Sequence, residues 1–276
     1  MISRNSKPSK AKGIEADVTR HPLLTALSFL GLFVVWLAVT GFEGLYKPWV
    51  APLFMPSPGA VLGTFVRLQS DGYQGFSLLQ HLMTSLGRFA IAMTFSVVVG
   101  IALGIGMGMS NAFRAVLDGP METTRPVPKL ALLPLFIVWF GIGELSKFVV
   151  IASALLPIMS ISAMQGVMQV NRRKLLAAYS LGASEWTVFC RVLIPSALPT
   201  IFVGLRVCMG LGITMLVGAE LIATNRGIAF MAISASDFLQ TDVVFVGVIT
   251  MAAVGYGLDL VIRQIERRVV HWSGRE

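Results

Sequence analysis

Apolar positions along this chain form long unbroken runs, without the alternation of a half-buried strand or the three-four spacing of a water-facing helix. Residues 23–42, 89–110 and 148–170 hold no charged side chain. Each reaches the roughly 20 residues that a helix needs to cross a bilayer core. Residues 194–219 and 243–262 qualify with one charge each, Arg206 and Asp259. A shorter run at 130–143, LALLPLFIVWFGIG, is interrupted by Pro134 and reads either as a re-entrant piece or as a span completed by its flanks. Taken as a span, it brings the prediction to an all-α integral membrane protein with six transmembrane helices. Composition agrees, with 55% hydrophobic residues, 13% charged residues and a mean hydropathy of +0.77. Soluble domains carry about 25% charged residues.

The basic residues test that topology. With the N-terminus inside, 16 of the 22 Lys and Arg fall on the cytoplasmic side and 5 outside, with Arg206 within a span. This bias supports an N-in, C-in arrangement. It also accounts for the net charge of +8 through topology and anionic lipid, without nucleic acid as a partner. About 20 polar residues precede the first run, so an uncleaved anchor is expected rather than a signal peptide. Cys190 and Cys208 lie in a cytoplasmic segment and within a span, and the three histidines are scattered, so neither a structural disulfide nor a metal site is expected.

Between the first two long runs, PLFMPSPGAV reads as extended chain. The helix that follows is expected to place Val61, Leu62, Phe65, Val66 and Leu68 on one membrane-facing side. The second run carries Ala92, Ser96, Gly100, Gly104 and Gly108, small residues every four positions, and the fifth carries Gly204, Cys208 and Gly212. Such stripes let another backbone approach closely, either within the bundle or across a homodimer seam.

The segment LAAYSLGASEWTVFCRVLIPSALP, 176–199, follows Arg172, Arg173 and Lys174 on the cytoplasmic side. It reads as a short helix through Ala177 and Ala178, a break at Gly182, and a second helix capped by Ser184 with Glu185 at its positive end. Trp186, Phe189, Val192 and Leu193 then make an apolar ridge before Pro195. An elbow this apolar and this accessible requires a partner or the membrane surface.

The two alanines, the glycine four positions after the second, and the aliphatic residues ending at Pro195 resemble the EAA loop of ABC importer permeases, with Leu176 where that pattern has its leading Glu. RPVPKLALLPLFIVWFGIGELSK (125–147) and GAELIATNRGIAFMAISASDFLQTDVV (218–244) are similar to permeases of the nitrate, sulfonate, taurine and bicarbonate group, most of all the taurine branch. The resemblance implies a type I, MetI-like permease fold: a polar cytoplasmic tail at 1–21, a first transmembrane helix and external segment at 22–88, and a permease core at 89–276 with its coupling elbow at 172–195. It also implies a non-catalytic subunit of the bacterial inner membrane that pairs as a homodimer on a cytoplasmic ATPase dimer and receives substrate from an external binding protein. On that reading Ala177, Ala178, Gly182, Ala183, Ser184, Glu185 and Pro195 couple to the ATPase, while ATP and Mg belong to that partner. The chain has no glycine-rich GKS or GKT phosphate cradle of its own.

For the substrate path the candidates are Arg206 and Glu220. An intramembrane charge is by default functional, yet Arg206 could instead snorkel or pair with Asp259, and Glu220 could be an exposed helix end rather than part of a gate. Asp259 and Arg263 form an i, i+4 pair, and Arg226 and Asp237 are candidates to face the binding protein. A stand-alone secondary transporter would need acidic or histidine relays, of which these runs carry almost none. An intramembrane enzyme would need a nucleophile–base pair or paired carboxylates at matched depth, and none is present.

Overall fold

The computed structural model describes residues 22–41, 49–222 and 224–272; the tail expected at 1–21 lies outside them. Helices follow in the order α1 Pro22–Thr40, α2 Pro58–Ser70, α3 Leu78–Met109, α4 Asn111–Thr124, α5 Leu133–Phe140 after a 3-10 turn at Lys129–Leu132, and α6 Glu144–Met168. Then come α7 Arg172–Ser180, α8 Glu185–Val188, a π-helical turn at Phe189–Leu193, α9 Ile194–Glu220, α10 Ile228–Asp237 and α11 Thr241–Val269. No strand occurs among the described residues.

Among the described residues, five helical stretches are long and apolar enough to cross a membrane: Leu23–Thr40, Leu78–Met109, Glu144–Met168, Glu185–Glu220 and Thr241–Val269. The expected sixth helix at 130–143 is not continuous. Its apolar part, Lys129–Phe140, rises about 18 Å at 1.5 Å per residue, short of the roughly 30 Å hydrocarbon core. Pro134 opens α5 and Gly141, at φ +81°, closes it.

Close packing of α3 on α6 fixes the direction of the chain. A Cβ placed on Gly100, Gly104 or Gly108 would lie 2.8, 2.6 and 2.6 Å from side-chain atoms of Met159, Ala163 and Val167, a constant sequence offset. The two helices therefore run parallel and touch along the small-residue stripe, so the stripe serves the bundle interior. Because they are parallel, residues 110–143 must carry the chain back, and they do so in pieces. Met121 of α4 clusters with Met107 and Met164, while Leu130 packs against Gly218 near the end of α9. α9 runs antiparallel to α6: Gly204 abuts Ser162, and Gly212 abuts Leu155 and Phe89. The core is filled by Val150, Ile151, Leu155 and Met159 of α6 together with residues of α3 and α9.

α1 stands apart, with Leu23, Phe29 and Leu32 exposed as suits a lipid-facing helix. It is tied to the rest where the Trp36 indole N–H donates to the Pro56 carbonyl at 3.1 Å and its ring stacks on Phe245. α2 has two apolar faces instead of the single one expected. Val61 and Leu68 are buried against α10 and α11, whereas Leu62, Phe65 and Val66 point outward. α2 is pinned to α11 by Thr64, which donates to Asp242 at 2.6 Å.

Candidate functional site

Two constructions occupy opposite ends of the bundle. At one end lies the elbow. Asn171 caps α7 by accepting from the Arg173 amide. The helix closes in a Schellman motif: the Gly182 N–H donates to the Tyr179 carbonyl at 2.9 Å, and the Ala183 N–H donates to the Ala178 carbonyl at 3.1 Å. This closure needs a left-handed residue, and Gly182 supplies it at φ +80°. Two residues later Ser184 begins α8, its hydroxyl accepting from the Thr187 amide at 3.3 Å, with Glu185 in the first turn. The spacing of Ala178, Gly182, Ser184 and Glu185 is thus that of one helix stop followed at once by one helix start.

The second arm differs from the expected separate short helix. α8 passes through the turn at Phe189–Leu193 directly into α9, forming one helical stretch, Glu185–Glu220. The Ile194 N–H reaches back five residues to the Phe189 carbonyl, a π-type closure just before Pro195 and Pro199, neither of which has an N–H to give. Trp186 stacks on Phe189 at 5.5 Å. Ala177, Gly182, Ser184 and Glu185 are exposed, and Ala178, Ala183 and Pro195 half-buried. Leu181, 88% exposed, and Trp186, 73% exposed, crown the elbow.

At the opposite end α3, α6, α9 and the α9–α10 loop meet in a polar knot around Arg88. Its Nε and Nη2 donate to the two carboxylate oxygens of Glu144 at 2.6 and 2.7 Å. Nη1 donates to Glu220 at 2.9 Å and to the Arg226 carbonyl at 2.6 Å, and Nη2 also reaches Thr224 at 3.1 Å. Glu220 is wholly buried, which overturns its reading as an exposed helix end. It accepts further from the Ser85 hydroxyl at 2.8 Å and the Ala229 amide at 3.1 Å. Ser85 accepts in turn from the Ile228 amide. Buried His81 accepts from the Gly227 N–H through Nδ1, which places its ring proton on Nε2, facing the Tyr73 carbonyl at 3.1 Å. Gly227, at φ +134°, leaves no room for a Cβ against the Glu220 carboxylate. Only glycine fits there.

Arg206, the other candidate for the substrate path, lies away from this knot and pairs with Glu266 of α11, whereas Asp259 pairs with Arg263 at 2.7 Å. Arg226 lies over the Phe76 ring at 3.9 Å, and Asp237 is exposed at the same end as the knot. The knot's other members were not among the residues singled out in the sequence. A signal existed: His81, Ser85 and Arg88 share one face at i, i+4 and i+7. They precede the charge-free run at 89–110, whereas α3 begins at Leu78.

The chain matches one family model, described as the inner membrane component of binding-protein-dependent transport systems, over residues 96–271. The chain belongs to that family. As a permease it is a multi-pass inner-membrane transport subunit, not a catalyst, and its system includes an ATPase and a substrate-binding protein. The permease is 41% identical to the taurine transport system permease protein TauC of Escherichia coli (strain K12), over 93% of this chain and 92% of that one. It is 35% identical to a putative aliphatic sulfonates transport permease protein, SsuC, of the same organism, over 88% and 89%. An inward-facing structure of the MetNI methionine ABC transporter superposes with a TM-score of 0.59 at 17% identity, covering 70% of the permease and 95% of that chain, which shows the shared fold.

Proposed function

We propose that this permease forms the membrane path of an ATP-driven importer for taurine or another small sulfonate, with two copies of the chain working on a pair of ATPases that hold ATP and Mg. The observation that carries the coupling half of this reading is the exposed elbow fused to α9. Ala177, Ala178, Gly182, Ala183, Ser184 and Glu185 form the docking surface, Leu181 and Trp186 supply its apolar contacts, and Pro195 lies where the second arm enters the span. A push on α8 is then delivered along one helical body from Glu185 to Glu220, which ends in the knot at the far side. That couples the two ends through one continuous helical stretch.

The elbow end is cytoplasmic on this reading. Residues 110–143 supply a sixth crossing in two pieces, and both termini lie inside, consistent with the distribution of Lys and Arg. The ligand class rests on the similarity to the taurine and sulfonate permeases. Cells lacking their own sulfonate uptake, given this permease with its ATPase and binding protein, are expected to accumulate labelled taurine, and excess methanesulfonate should compete. Competition by nitrate instead would move the ligand to another anion.

Arg206 acts in this scheme as a tie between α9 and α11 through Glu266, and Glu220 as an anchor of the knot. Replacing Arg206 with Gln is expected to leave the KM for uptake within about twofold of the parent, since uniform binding energy would be unaffected. A rise in KM well beyond that would put Arg206 in the path.

A further inference from the structure

The two edges of the Arg88 guanidinium are used differently. Nη1 is engaged by buried Glu220 and the Arg226 carbonyl, which anchor the group whatever else it binds. Nε and Nη2 present the flat two-donor fork, and Glu144 fills it with both carboxylate oxygens. The partners on the two sides differ in burial: the Glu220 side chain is fully buried and Arg88 7% exposed, whereas Glu144 is 63% exposed. Glu144 opens α6 directly after Gly141, Ile142 and Gly143, a backbone that can swing. Beside it a cleft of about 400 Å³ runs between α3 and α6, walled by Met83, Ile91, Leu145 and Phe148.

Charge points the same way. Arg88 and buried Lys147 face Glu144 and Glu220, and among the described residues Lys147 pairs with Glu144, at 3.2 Å. With Glu144 in place the group is balanced; if Glu144 swings out, one positive charge is left at the cleft. A monoanion with two acceptor oxygens restores the balance and satisfies the same fork, beside apolar walls.

We infer that Arg88 is an oxyanion-binding residue of the permease itself, and that Glu144 is an internal stand-in displaced by the headgroup of the transported sulfonate. This rests on the importer reading above and adds a substrate contact within the membrane subunit. Phosphate headgroups of anionic lipid share the chemistry, and the test separates them from a free solute.

The complex of permease and ATPase is placed in nanodiscs of phosphatidylcholine or phosphatidylglycerol, and thermal unfolding is followed while methanesulfonate is titrated, with dimethyl sulfone as the uncharged control. Glu144→Gln, which empties the fork of its charged occupant, is expected to bind methanesulfonate at least about tenfold more tightly than the parent in phosphatidylcholine. Adding Arg88→Lys, which keeps the charge and loses the fork, should abolish that gain. No anion-specific stabilisation of Glu144→Gln, or stabilisation only in phosphatidylglycerol, overturns the inference. ATP hydrolysis by the parent complex, stimulated by a loaded binding protein, is measured alongside. If stimulation is present but the anion effect absent, this site alone fails; if stimulation is also absent, the importer reading fails with it.

Discussion

Replacing Glu220 with Ala is expected to lower the stability of the permease by about 3–5 kcal/mol, the cost typical of removing one partner from a buried ion pair. The substitution strips Arg88 of a buried counter-charge and leaves the Ser85 hydroxyl and the Ala229 amide without an acceptor. A buried amide that loses its partner is itself costly. The damage should spread beyond one contact, since Glu220 joins α3, α9 and the start of α10. Thermal unfolding in detergent and yield in the membrane both report it, with both expected to fall sharply. Glu220→Gln, which keeps the shape and one carbonyl acceptor but loses the charge, should fall between the two. A Glu220→Ala protein as stable as the parent would mean that the knot does not hold these helices.

Replacing Gly182 with Leu should have the opposite profile: normal yield and abolished transport. Inside the chain there is space, because nothing lies within 4 Å of where a Cβ would stand. The cost arises from the backbone, since a non-glycine residue in the left-handed region loses about 1–2 kcal/mol, and the Schellman closure that sets the angle between α7 and α8 is strained accordingly. On a solvent-facing elbow this does not unfold the bundle, but it changes the shape of the proposed docking surface for the ATPase and places a bulky side chain on it. Uptake is expected to drop to the level of protein-free liposomes, with Gly182→Ala intermediate. Normal uptake by Gly182→Leu would remove the elbow from the coupling path.

What the sequence made legible followed from strong local signals. Long apolar runs with at most one charge identified the five long helices, and the spacing from Ala178 through Gly182 to Ser184 identified a stop and a restart that the hydrogen bonds reproduce. The stripe of Gly100, Gly104 and Gly108 foretold close packing, and the structure supplies α6 as the neighbour. The failures share a cause. Delimiting spans by the absence of charge started α3 at Phe89 and α6 at Phe148, and so cut off Arg88, three turns into α3, and Glu144, at the start of α6, whose charges neutralise each other. Glu220 does end α9, but its burial had no local signal, because the side chains that pair with it, Ser85 and Arg88, lie more than 130 positions away along the chain. The pairing of Arg206 with Glu266 instead of Asp259 depends on how α9 crosses α11, a tertiary fact with no local signature.

On the proposed function, this permease transmits the work of an ATPase to a path for a small sulfonate. The most direct test is ATP hydrolysis by the purified permease and ATPase in lipid, with and without a taurine-loaded binding protein. Marked stimulation by the loaded protein, little by the empty one, and none with Gly182→Leu is the predicted result; hydrolysis indifferent to the permease and to the binding protein would contradict the account.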